Sequence, residues 1–204
     1  FIIETDNPGL RLGPKEKKMG WNASDTRQIF FEDLRVSDEQ RLGEPIDGFR
    51  TFLKALVGGR ISVGALSCGT AEGAYSAALN YSHEREAFGK PIHKFQSVGF
   101  KLADMATEIE ASKLLVYQAA KKYDEGHNVV KEAAMAKLFA SETAMKTTTE
   151  AIQVFGGYGY IKEYPAERFF RDAKVLTIGE GTSEIQKIII LREILKSLDN
   201  AISV

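Results

Sequence analysis

From residue 46 onward only Pro91 and Pro165 interrupt the chain, and its apolar residues recur there at helical spacing. Proline is tolerated at helix starts and breaks helix interiors, so this part of the sequence can hold long helices and little else. The first helix is expected from about Asp47 to Arg85, with Phe49, Phe52, Leu53, Leu56 and Val57 on one face, ending before Gly89-Lys90-Pro91. A second spans about Phe95 to Glu125, carries the stripe Val98, Leu102, Met105, Ile109 and Leu114, and stops at Gly126. In a third, over about 129–154, the inner positions are small: Ala133, Ala136, Ala140, Ala144, Thr147 and Ala151. Small residues at that spacing let two helices approach closely. A final helix starts near Ser183, where Ser183 to Gln186 fits a capping box, and is expected to bury Ile185, Ile188, Ile189 and Leu195. Joined by short connections, these elements imply a mainly α fold, an antiparallel four-helix bundle over residues 46–204.

Residues 1–45 differ in character. Asn7-Pro8-Gly9 and Gly13-Pro14 punctuate short apolar runs, as turns between β-strands do. Phe1-Ile2-Ile3 and Ile29-Phe30-Phe31 are the expected strands, with Leu34 to Val36 a short extension. Because the chain opens inside an apolar run, it is expected to be a fragment whose first segment is an incomplete β-domain.

Composition narrows the function. A formal net charge of -1, with acids and bases mixed throughout, leaves no polybasic face to neutralise a phosphate backbone, which argues against nucleic-acid binding. No apolar run of the roughly 20 residues needed to cross a bilayer stands out, and no leader opens the chain, so a bacterial cytoplasmic or mitochondrial-matrix location is expected. Cys68 lies among small helical residues and reads as a buried structural thiol. No metal site is expected.

Four segments are poorly explained by packing. In Glu84 to Ile92, followed by Phe95-Gln96, a helix end carries an arginine, an aromatic and an amide; guanidinium binds phosphate oxygens bidentately, although taken by itself the segment reads more naturally as a solvated helix end. Gln153 to Tyr160 holds three glycines, fitting either a tight turn or a backbone approached by a ligand. Gly58-Gly59-Arg60 places two glycines inside a helix, where each costs about 1 kcal/mol relative to alanine, so a neighbouring helix or a ligand must come close. Most informative is Arg168 to Lys187, in which Glu180 stands between two glycines just before a helix. Val175, Leu176 and Ile178 suggest dry surroundings, and desolvation strengthens a carboxylate as a base. A helix-start acid favoured by the macrodipole fits the same position.

Together these segments resemble the acyl-CoA dehydrogenase family. Met19-Gly20, Ser24-Asp25-Thr26 and Phe31 to Val36 are similar to the end of its middle β-domain, and the Arg85 to Ile92, Gln153 to Gly159 and Arg171 to Gln186 runs to its carboxy-terminal helical domain. The resemblance implies FAD-dependent α,β-dehydrogenation of an acyl-CoA thioester to the trans-2-enoyl-CoA. Glu180 takes the α-proton and a hydride passes to flavin N5. By position, Arg85, Phe88, Gln96, Gln153, Gly156 and Gly157 resemble residues that reach the FAD of a neighbouring subunit. Thr182 and Glu184 resemble residues holding FAD from the same chain as the base, and Arg60 and Gly181 lie where the substrate is met. It further implies a homodimer or homotetramer and electron-transferring flavoprotein as acceptor. A fragment lacking the amino-terminal domain would turn over little. Gly179 precedes the base where several straight-chain enzymes carry tyrosine, and Gly59 occupies the position that bears the base in a subset of the family. A flavin oxidase of the same fold and a non-catalytic helical interaction module are the alternatives.

Overall fold

The computed structural model describes residues 1–202, with side chains as far as Asp199. By internal packing the chain divides into two units, Phe1–Ala55 and Leu56–Val204.

In the first unit, β1 (Leu10–Lys15) and β2 (Arg27–Phe31) pair as an antiparallel hairpin, with Leu10 opposite Phe31 and Leu12 opposite Ile29. The register shifts between Leu12 and Lys15, which is where Pro14, unable to donate to a ladder, sits. The strand expected at Phe1–Ile3 is absent: Ile2 donates one backbone bond to the Gln40 carbonyl (2.8 Å), without a ladder. Leu34–Val36 is likewise irregular. Instead the first strand is Leu10–Lys15, obscured in the sequence because Gly13-Pro14 reads as a turn and not as a bulged edge strand.

Helix α1 (Gly48–Glu84) begins within the first unit and continues into the second, which also contains α2 (Gln96–Asp124), α3 (Val130–Phe155), α4 (Ala166–Lys174) and α5 (Ser183–Ile202). Side-chain register fixes their directions. Gly64 of α1 faces Val116 and Ala136, whereas Ala74 and Ala78, farther along, share a cluster with Leu102, Met105, Ala151 and Val154. Helix α2 therefore runs against both α1 and α3. Ion pairs repeat that register: Lys101 with Glu150 at one end, Lys122 with Glu132 (2.8 Å) at the other.

The core depends on close approach more than on bulk. All six expected small positions of α3 are buried, so helices meet with little side chain between them. A Cβ on Gly73 would fall 2.9 Å from the Phe169 ring, so α4 is seated on α1 through a position that admits no side chain. Cys68 is buried in the core, and burial pushes its thiol up from the usual range.

Several expected core residues lie elsewhere. Phe49 is 75 % exposed, and Phe52, Leu53 and Leu114 are also exposed, with Val116 filling the inner position on α2. Of the four apolar residues expected inside α5, Ile189 is buried, near Ser183 and Gln186, while Ile185, Ile188 and Leu195 face out. Helix α5 meets α3 along a narrow i, i+3 face, so its apolar band is wider than its contact. Helix α1, at 37 residues, contains a stretch of mean hydropathy 1.2, long and apolar enough by length and composition to cross a membrane, contrary to the reading of the sequence. Its small residues Cys68, Ala71, Ala74 and Ala78 are buried within the bundle, which is how a core helix comes by such a composition.

Candidate active site and cofactor cleft

The Gly179-Glu180-Gly181 segment turns the chain from a short 3-10 turn (Val175–Thr177) into α5. Glu180 has φ of 56° and Gly181 of 96°. For a non-glycine residue the left-handed region costs about 1–2 kcal/mol, so the turn persists only if its surroundings impose it. The restraints are visible. Gln186 Nε2 donates to the carbonyls of Glu180 (3.1 Å) and Gly181 (2.9 Å), and Lys137 Nζ on α3 donates to the Gly181 carbonyl (2.8 Å). The Ser183 hydroxyl donates to Glu142. The capping arrangement is shifted by one residue from the expected Ser183–Gln186 box: the Thr182 carbonyl accepts from Gln186 N–H (3.0 Å) and its hydroxyl from Ile185 N–H (3.4 Å). Gln186 is drawn off because the left-handed turn leaves two carbonyls within its reach.

This turn lays the Glu180 carboxylate on α1. A Cβ built on Gly59 would lie 2.7 Å from Glu180 Oε2 and 3.0 Å from Cδ. The close visitor foreseen at Gly58-Gly59 is thus the candidate base itself, while Gly58 faces the Tyr123 hydroxyl. Glu180 Oε2 is shut from solvent, and among the described residues it has no hydrogen-bond partner; Arg60 Nε and Gln186 Oε1 share that condition. Buried polar atoms are rarely left unpaired. Three of them in one site fit an incoming polar ligand. The dryness does not come from the preceding apolar run, since Val175 and Ile178 are exposed and only Leu176 is buried.

Arg60 is buried, and desolvation lowers its guanidinium from the ordinary value, opposed by the Glu180 carboxylate, with Arg192 adding to the lowering. Burial likewise lowers the Lys137 ammonium, opposed chiefly by Glu142. Lys137 was not singled out in the sequence. Nothing in a run of small residues marks one lysine as an inward position except its place on the alanine stripe, one residue after Ala136. Thr182 is half-buried beside the turn; Glu184 is exposed, and its carboxyl is held low by its own backbone N–H and by Thr182.

A second locus lies at the far end of α1. The Arg85–Ile92 run forms a tight hairpin, β3 (Glu86–Ala87) against β4 (Lys90–Pro91), with positive φ at both Phe88 and Gly89 as a two-residue primed turn requires. Phe88 is 96 % exposed at its tip and packs edge-on to Phe95. A cleft of about 470 Å³ is lined by Tyr81, Arg85, Phe155, Gly156, Gly157 and Tyr158, among others. The Arg85 guanidinium stands 5.8 Å from the Tyr158 ring centre. Gly156 and Gly157 leave open space where side chains would be, whereas a Cβ on Gly159 would meet the Ile152 carbonyl at 2.5 Å, so the glycine run divides into two cleft positions and one packing position. Gln96 and Gln153 are exposed, at the start of α2 and in the last turn of α3.

The candidate residues therefore form two groups. Arg60 and Glu84 bracket a continuous helical stretch of about 36 Å at ~1.5 Å per residue, so Arg85, Gly156 and Gly157 are not brought to Glu180 within one chain. The cleft suits a phosphorylated, flat ligand: a guanidinium set beside the Tyr158 ring, an uncovered glycine backbone and aromatic walls.

Residues 47–195 match the family model described as acyl-CoA dehydrogenase, C-terminal domain. The chain belongs to the acyl-CoA dehydrogenase family. It is 51% identical over 196 residues to a probable acyl-CoA dehydrogenase of Bacillus subtilis, covering 96% of this chain and 52% of that protein. Among solved structures, butyryl-CoA dehydrogenase from Megasphaera elsdenii superposes with a TM-score of 0.94 at 49% identity, over 96% of this chain and 51% of that one. A chain in the structure described as electron transferring flavoprotein of Acidaminococcus fermentans gives a TM-score of 0.94 at 50% identity, over 96% of this chain and 51% of that one. The chain thus spans about half the length of the relatives it matches.

Proposed function

We propose that the protein containing this chain dehydrogenates an acyl-CoA thioester between Cα and Cβ, with Glu180 as the base that removes the α-proton. The observation that carries this reading is the Glu180 carboxylate, held on a strained turn with one oxygen buried and unpartnered over Gly59. Membership of the family supplies the reaction class, and the name butyryl-CoA dehydrogenase points to a short acyl chain as the first substrate to try.

A base for a weak carbon acid must be close, fixed and poorly solvated. Gln186 and Lys137 fix the turn, Gly59 leaves room for the carboxylate, and Arg60 provides a buried cation whose charge acts on it. The Glu180 backbone N–H is the group to which the thioester carbonyl would bind, stabilising enolate-like charge as the proton leaves. Bound FAD would supply the hydride acceptor. Thr182 and Glu184 would hold it beside Glu180. Arg85, Phe88, Gln96, Gln153, Gly156 and Gly157 would hold the cofactor of a neighbouring subunit, because their end of the bundle is too far from Glu180 to serve the same molecule. A homodimer or homotetramer follows from that sharing, and the exposed apolar rows of α5 suit burial in such an assembly. Electron-transferring flavoprotein is the proposed acceptor, in keeping with the A. fermentans structure.

Purification of the full-length protein and anaerobic titration with acyl-CoA thioesters of increasing length test the proposal. A yellow protein whose flavin bleaches with short-chain thioesters supports it. A colourless protein, or no bleaching with any thioester, refutes it, and rapid oxygen consumption without an acceptor protein transfers the reading to an oxidase.

A further inference from the structure

Lys137 is fully buried in α3, among alanines, and its hydrogen bond goes to a backbone carbonyl instead of a carboxylate. Taking an ammonium out of water is expensive; the Gly181 carbonyl is a neutral acceptor, and the Glu142 carboxylate offsets part of the cost through its charge. A leucine or methionine at this position would fill the same space without the penalty. The carbonyl it holds is that of Gly181, the residue after the candidate base, and the bond spans 44 residues of sequence.

We propose that Lys137 is a positioning residue for the reaction: by tethering the Gly181 carbonyl to α3 it sets the left-handed Glu180-Gly181 turn, and hence the direction of the Glu180 carboxylate over Gly59. This rests on the reading of Glu180 as the base. Gln186 also grips the turn, but it belongs to the helix that the turn begins, five and six residues along, and moves with it. Lys137 belongs to the helix whose neighbours Ala133, Ala136 and Ala140 form the closely packed interior. It therefore refers the turn to the body of the bundle and to α1, where Gly59 and Arg60 lie. The Ser183–Glu142 bond makes a second tether to α3, farther along that helix, but it holds the helix start and not the carbonyl adjoining the base.

The test uses the full-length holoenzyme and compares Lys137→Met, Lys137→Gln and Glu180→Gln. Methionine keeps the length of the stem and removes the donor; glutamine restores a neutral donor. Expected for Lys137→Met is a loss in kcat per bound flavin on the order of 10- to 100-fold, the scale of a ~1 Å misplacement of a reacting group, with KM for the thioester within about threefold of wild type. Lys137→Gln should recover part of kcat. If Lys137→Met fails to fold, Lys137→Gln alone is read by the same kcat and KM criterion. A Lys137 variant with lowered melting temperature or flavin content but wild-type kcat per bound flavin, beside an inactive Glu180→Gln, overturns the positioning role and leaves the base assignment standing. An active Glu180→Gln overturns both.

Discussion

Replacing Gly59 by alanine separates the needs of the helix from the needs of the site. Alanine in a helix interior is favoured over glycine by about 1 kcal/mol, so by local propensity Gly59→Ala stabilises α1. The added Cβ would stand 2.7 Å from Glu180 Oε2 and 3.0 Å from Cδ. Non-bonded carbons and oxygens settle at roughly 3.4 Å or more, so the carboxylate must withdraw by about 0.7 Å. The obstructing atoms are the far end of a flexible side chain, so the fold yields cheaply and keeps most of the propensity gain. The reaction does not: a misplacement approaching 1 Å costs on the order of 10- to 100-fold in rate. Gly69 provides the control, since it lies in the same helix and nothing stands within 4 Å of its Cβ position. We expect Gly69→Ala to raise stability with unchanged turnover, and Gly59→Ala to leave stability equal or higher while flavin reduction by the best thioester slows at least tenfold. Urea-unfolding midpoints and anaerobic stopped-flow bleaching of the full-length protein measure the two quantities. Wild-type reduction rates in Gly59→Ala would refute the reasoning, because the carboxylate could not then lie over α1 during the reaction.

Two further outcomes follow. The Arg171 guanidinium, bonded to both oxygens of Glu167 (2.6 and 3.0 Å), holds that carboxyl below its ordinary value of 4.5. A depressed folded-state carboxyl stabilises above the unfolded value and loses that stabilisation as pH falls through the folded one. Glu167→Gln should therefore unfold about 0.5 kcal/mol more easily at neutral pH, the scale of an i, i+4 pair, and the gap should close as pH falls below 4.5; a gap constant with pH contradicts the account. Arg85→Met should weaken flavin retention on the order of 10- to 100-fold, the worth of one charge-assisted bond of ~1.5–3 kcal/mol, while the apoprotein melts as wild type because Arg85 is exposed; retention unchanged on dialysis removes Arg85 from the cleft's role.

Much of this was readable from residue order. Helix ends fell within a residue or two of expectation because glycine, proline and capping chemistry mark them locally. The alanine stripe of α3 was legible for a similar reason, since small residues repeated at helical spacing have few other uses. What escaped was decided by partners distant in sequence. Helix α4 is nine residues rich in charge, with no apolar stripe to show it, and is held by Phe169 settling on Gly73. The apolar rows of α1 and α5 gave the right elements and the wrong surroundings, because periodicity shows which face is apolar and not what covers it. At the site, the glycines of Gly58-Gly59 announced a close approach without saying by what. Glu180 stands out in the sequence by its flanking glycines, which a helix-start acid would fit as well. Lys137, which holds its turn, was invisible among alanines, since a hydrogen bond between α3 and the start of α5 leaves no local trace.

If Glu180 moves the α-proton, isotope exchange reads that step apart from any electron transfer. The full-length protein and its Glu180→Gln variant are incubated anaerobically with butyryl-CoA in deuterium oxide, and deuterium at Cα of the recovered thioester is followed by mass spectrometry. Exchange is expected with the wild-type protein, and its loss, by at least a hundredfold, in the variant. Equal exchange in both would mean that another group takes the proton.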